Sequence, residues 1–172
     1  MFKRKIYEKM RKWKQESEGK TALLIEGARR IGKSTVVEAF AKNEYKSYIL
    51  IDFSRVSRET KELFEDISDL NYLFLQLQLQ YKVDLHERNS VIIFDEVQLC
   101  PMARQAIKAL VEDRRYDYIE TGSLISIKKN VKDILIPSEE RKLSMYPMLS
   151  STNSLRTAAF SHGSTSIPFP RR

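Results

Sequence analysis

Hydrophobic positions near the start of the chain recur at helical spacing. Phe2, Ile6, Met10 and Trp13 stand four, four and three residues apart, and Lys and Arg fill the other faces. That period predicts an amphipathic helix over residues 2–17 with its apolar stripe on the body. From Thr21 the pattern changes. TALLIE (21–26) is a short apolar run, GARRIGKST follows it, and VVEAFAKN reads as a helix. SYILIDF (47–53), SVIIFDE (90–96) and YDYIETG (116–122) predict three more strands. Residues 101–114 predict a helix opening on Pro101, where a missing N–H costs nothing. Apolar runs without alternation, separated by helical segments, predict parallel strands covered on both faces.

The stretch between the second and third strands fits two periods. RETKELFEDI (58–67) reads as helix. Leu73, Leu75, Leu77, Leu79 and Tyr81 alternate like one strand face, while Leu73, Leu77 and Tyr81 also form an i,i+4 ladder. A parallel sheet needs a crossover here, and Leu and Gln favour helices, so helix is expected. After the fourth strand LISIKKN reads as a short helix, and residues 133–148 as two strand pieces in a hairpin. The composition breaks at Leu149, after which nine of 24 residues are Ser or Thr and none is acidic. That segment reads as a disordered tail.

Length and charge add limits. At 172 residues one domain is expected, and the single Cys100 excludes an intramolecular disulfide and a multi-cysteine zinc site. No apolar stretch is long enough to span a membrane and the basic start lacks a secretory pattern, so a cytoplasmic protein is the expectation. Net charge is +7, but residues 1–20 contribute +5 and the last 24 residues +3, leaving −1 for the body. A nucleic-acid partner therefore rests on the two ends alone.

The segment Gly27-Ala28-Arg29-Arg30-Ile31-Gly32-Lys33-Ser34 matches G-x-x-x-x-G-K-[ST] between an apolar run and a helical pattern. In such a loop successive N–H groups wrap phosphate oxygens and the helix N-terminus adds its dipole. Lys33 then reaches the β- and γ-phosphates and Ser34 supplies an oxygen to Mg²⁺; Thr35, directly after the motif, is expected to bind the nucleotide with residues 27–34. Arg29 and Arg30 either touch phosphate or face solvent.

Asp95 and Glu96 end the third apolar run, where open α/β sheets place their ligands. Asp95 is the second candidate for Mg²⁺, and Glu96 the candidate to orient or deprotonate an attacking water. At the end of the fourth strand Ser123 or Thr121 can sense the water or γ-phosphate, with Ser123 favoured. Cys100, His86 and His162 have no partners at catalytic or metal spacing.

With GARRIGKST, IDF at 51–53, FDEVQ at 94–98, TGS at 121–123 and EERKLSMYPM at 139–148, the chain resembles the N-terminal ATPase domain of a prokaryotic group. These are AAA-type ATP-binding proteins with a conserved C-terminal domain of unknown function. The resemblance spans about residues 14–148. It implies an α/β P-loop NTPase fold, three-layered, with a mostly parallel sheet of order 5-1-4-3-2. It also implies Lys33, Ser34, Asp95 and Glu96 in the roles above and Ser123 as sensor; Gln98 follows Glu96 as in the group. Members continue well past this point, so the break after Met148 implies a truncated or frameshifted product. The expected organisation is a basic helix (1–20), an ATPase core (21–148) and a tail (149–172).

The leading expectation is ATP binding with Mg²⁺-dependent hydrolysis to ADP and phosphate. Rivals are an inactive ATP-binding remnant or interaction module, a small-molecule kinase and a nucleic-acid-associated ATPase. Partners beyond the nucleotide would be a second copy or another protein.

Overall fold

Among the described residues there are five strands: β1 (Ala22–Gly27), β2 (Ser47–Asp52), β3 (Ser90–Asp95), β4 (Asp117–Ser123) and β5 (Glu140–Met145). The computed structural model describes residues 2–123 and 140–145. The strands form one sheet in the order β2-β3-β4-β1-β5, and all four pairings are parallel. Read from the other edge, this is the expected order. Every residue of β3 and β4 is buried, which is why their sequences lack alternation.

Among the described residues five α-helices flank the sheet: α1 (Phe2–Ser17), α2 (Lys33–Glu44), α3 (Arg58–Glu62), α4 (Leu70–Tyr81) and α5 (Pro101–Asp113). On one face, Ile6, Met10 and Trp13 of α1 join Val36, Val37 and Phe40 of α2 over Leu23, Ile25 and Ile93. On the other, Leu73 and Leu77 of α4 join Ile107 and Leu110 of α5 over Ile49, Ile51 and Phe94. The architecture is therefore three-layered α/β/α. Among the described residues no helix is long and apolar enough to cross a membrane.

The ambiguous stretch is helical. Asp69 caps α4, its Oδ1 accepting from the N–H groups of Asn71 (2.9 Å) and Tyr72 (3.1 Å). Helix α3 is shorter than the expected 58–67. Beyond Glu62 the chain tightens, with Phe64 N–H donating to the Lys61 carbonyl at 3.1 Å. The turn brings Phe64 edge-on to Phe53 and Phe94, with centroids 5.7 and 5.4 Å away. Cys100 is buried, and burial raises its thiol pKa.

Of the hairpin expected over 133–148, the second piece is β5, which joins β1 in parallel. Its first piece, the short helix after β4 and the tail from residue 149 lie outside the described residues.

Candidate functional site

The loop after β1 is set by two glycines with different reasons for lacking a side chain. A Cβ on Gly27 would lie 2.3 Å from the Met145 carbonyl oxygen and 2.7 Å from Ile31 Cδ1, so β5 could not approach. Gly32 has open space around it but a φ of +86°, the left-handed conformation glycine tolerates best, as it leads into α2. Between them Ala28, Arg29 and Arg30 are exposed and Ile31 is half-buried; Thr35, in the first turn of α2, is exposed.

Lys33 opens α2 and is buried. Its Nζ donates to the carbonyl oxygens of Ala28 (2.9 Å) and Gly27 (3.3 Å), which places the ammonium inside the loop. Burial lowers its pKa, while the nearby Glu96 and Asp95 act in the opposite sense by favouring the cation.

Across from the loop, Asp95 ends β3. The Ser34 hydroxyl donates to its Oδ1 at 2.8 Å. The Thr121 hydroxyl, from β4, donates to the same oxygen, and Glu96 N–H donates to Thr121 Oγ1 at 3.4 Å. Thr121 thus ties the ends of β3 and β4 together beneath Ser34. Glu96 has a φ of +53°, uncommon for a residue with a side chain, and marks a sharp exit from the strand. Gln98, buried in the following 3-10 turn, donates from Nε2 to Glu96 Oε2 at 2.5 Å.

The parallel register joins these strand ends: Gly27 pairs with Ser123 on one side of β1 and with Met145 on the other. Lys33, Ser34, Asp95 and Thr121 converge at the C-terminal edge of the sheet, with Glu96 beside them. Ser123 is buried one step beyond on β4. The geometry gives Thr121, the less favoured of the two sensor candidates, the direct bond to Asp95. Gln98, which the sequence leaves without a role, is the residue that bonds the Glu96 carboxylate. The hydroxyl of Ser34 and the carboxylate of Asp95 are hard oxygen donors, the set that Mg²⁺ accepts alongside phosphate oxygens.

A second group of buried charges had no sequence signal. Arg104 of α5 donates from Nη2 to both Glu140 oxygens, at 3.0 and 3.2 Å. Glu120 lies fully buried nearby on β4. Burial first, then the neighbouring Glu140, pushes the Glu120 pKa well up.

Residues 19–151 match the family described as "AAA domain". No curated protein matches the chain. Among solved structures, similarity extends to one titled "Structure of C. elegans PCH-2", with a TM-score of 0.45 and 13% identity. That alignment covers 80% of this chain and 42% of the other, so this chain spans less than half the length of that one.

Proposed function

The chain belongs to the AAA domain family, and from that premise we propose that it binds ATP with Mg²⁺ and hydrolyses it to ADP and phosphate. The observation that carries this reading is the Ser34–Asp95 contact of 2.8 Å, formed between α2 and β3 beside a buried Lys33. A serine at the head of a phosphate-type loop and a carboxylate at a neighbouring strand end are the two oxygens an Mg-nucleotide site requires.

In this reading the loop N–H groups from Gly27 to Lys33 bind the phosphates. Lys33 exchanges its carbonyl partners for β- and γ-phosphate oxygens, supplying a positive charge where negative charge develops. Ser34 and Asp95 would hold Mg²⁺, which when bound would neutralise phosphate charge. Thr121 keeps the Asp95 carboxylate oriented. Glu96 orients the attacking water and takes its proton, with Gln98 steadying its carboxylate and Ser123 as a further contact to the water or γ-phosphate. The core that performs this is residues 21–148.

Glu96→Gln separates binding from chemistry. The variant retains Lys33, Ser34 and Asp95, so calorimetry should show ATP affinity within about twofold of the parent. Turnover should fall by about a hundredfold, the usual size of a lost general base. Unchanged turnover would move the water-activating role to another group.

A further inference from the structure

One surface groove collects carboxylates without collecting cations. It runs between α3 and α4, encloses about 750 Å³, and its lining includes Glu59, Glu62, Asp66 and Asp69 but no Lys or Arg. All four acids are exposed. Glu62 meets Arg58 from outside the lining at 2.6 Å, while Asp66 and Asp69 accept from backbone N–H groups. Beside them on α4, Tyr72, Leu75 and Leu79 are each more than half exposed. Their spacing of three and four residues makes a continuous apolar row. Single exposed leucines need no explanation, but a row bordered by carboxylates has the form of a docking surface.

The complementary surface is on the same chain. Lys5, Lys9 and Lys12 are exposed on α1 and lie at i, i+4 and i+7, along one helix face. The apolar stripe of α1 is already buried against its own body, which leaves this basic face outward. Yet α1 and α4 pack on opposite faces of the sheet, so a folded chain cannot lay its own α1 in its own groove.

We propose that the groove between α3 and α4 receives the basic face of α1 from a second copy of this chain. The lysine ammonium groups meet the four carboxylates, and their aliphatic stems cover Tyr72, Leu75 and Leu79. The contact joins two different patches on opposite sides of the molecule, so it is head-to-tail and can continue from copy to copy. It stands independently of the ATP reading.

Sedimentation equilibrium of the full chain tests it. Association should rise with concentration at low salt, and its Kd should weaken about tenfold or more in 500 mM NaCl, because exposed charges are screened. Two charge-reversed variants, Glu59→Lys/Glu62→Lys and Lys5→Glu/Lys9→Glu/Lys12→Glu, should each be monomeric with a circular dichroism spectrum like the parent's. The decisive arm is the mixture of the two reversed variants, which should associate with parent-like affinity, because the first keeps the basic α1 and the second the acidic groove. A parent that stays monomeric at every concentration overturns the proposal. So does association that neither reversal weakens, or a mixture of the two reversed variants that stays monomeric.

Discussion

Glu120 and Thr121 are neighbours on β4, on opposite faces of the sheet, and their surroundings give them opposite chemistry. Thr121 reaches the Asp95 carboxylate on the face that carries α2. Glu120 is fully buried toward α5, beside the Arg104–Glu140 ion pair, and burial holds its carboxyl in the protonated form well above the usual range. The folded chain therefore retains a proton there that the unfolded chain releases in the ordinary Glu range. Stability is greatest below that range and declines as pH rises through it toward the raised folded-state value. Glu120→Gln keeps a neutral group of the same shape, so its melting temperature should exceed the parent's at pH 8. The advantage should shrink toward pH 4, and a difference independent of pH would contradict the assignment. At this scale the site was partly legible. Lys33, Ser34, Asp95 and Glu96 announce themselves by spacing, because a loop, a helix start and a strand end fix their directions together. The choice between Thr121 and Ser123 was harder to read, since both point to the same face and only the depth along β4 separates them. The group of Arg104, Glu120 and Glu140 was not legible at all, because its members meet only when α5, β4 and β5 pack.

Among the elements, α4 shows how two periods written in one segment are resolved. In an extended strand Leu73, Leu75, Leu77 and Leu79 would all share one face. In the helix they divide: Leu77 is 1% exposed and Leu79 64%. Leu77→Ala should then cost about 2–5 kcal/mol, as large-to-small core changes do. Leu79→Ala should lie within about 0.5 kcal/mol of the parent, as surface changes usually do. Urea unfolding at dilute concentration checks both, and equal losses would favour a single shared face. The helical outcome follows from the connection as much as from the residues, since β2 and β3 are parallel neighbours and need a crossover. The end of α3 was less legible. Nothing local in RETKELFEDI marks the stop after Glu62; what ends the helix is the aromatic cluster that draws Phe64 inward, whose partners are Phe53, just past β2, and Phe94 on β3. Similarly, β5 reads as a strand in sequence, but its parallel pairing with β1 depends on Gly27 letting the Met145 carbonyl come close.

For the whole molecule, the two basic ends divide by periodicity rather than by charge. Residues 1–20 and 149–172 both carry excess Lys and Arg, and charge alone would set both apart from the near-neutral core. The first end has a helical apolar period, and in the fold Ile6, Met10 and Trp13 complete the core that also holds Phe40 and Tyr45. Trp13 Nε1 also donates to Thr21 Oγ1 at 3.1 Å, and the Lys14 ammonium lies 3.8 Å from the centroid of the Tyr45 ring. Helix α1 therefore packs as part of the body, although its outward face is basic. Fully burying one such apolar side chain is worth about 1.5–3 kcal/mol, so three approach the 5–15 kcal/mol that holds a domain folded. The second end has Leu149, Leu155, Phe160, Ile167 and Phe169 at no common spacing. Ordering a residue costs about 1–2 kcal/mol of backbone entropy, which five scattered apolar side chains would scarcely offset over 24 residues. The two deletions should therefore behave unequally. A chain beginning at Lys20 should lose its cooperative urea transition or shift it to much lower denaturant, with Phe40 and Tyr45 exposed. A chain ending at Met148 should keep the parent's midpoint closely and bind ATP with the parent's affinity by calorimetry. A large loss on removing residues 149–172 would show that the tail is packed on the body, and a small loss on removing α1 would show that its apolar stripe adds little to the core.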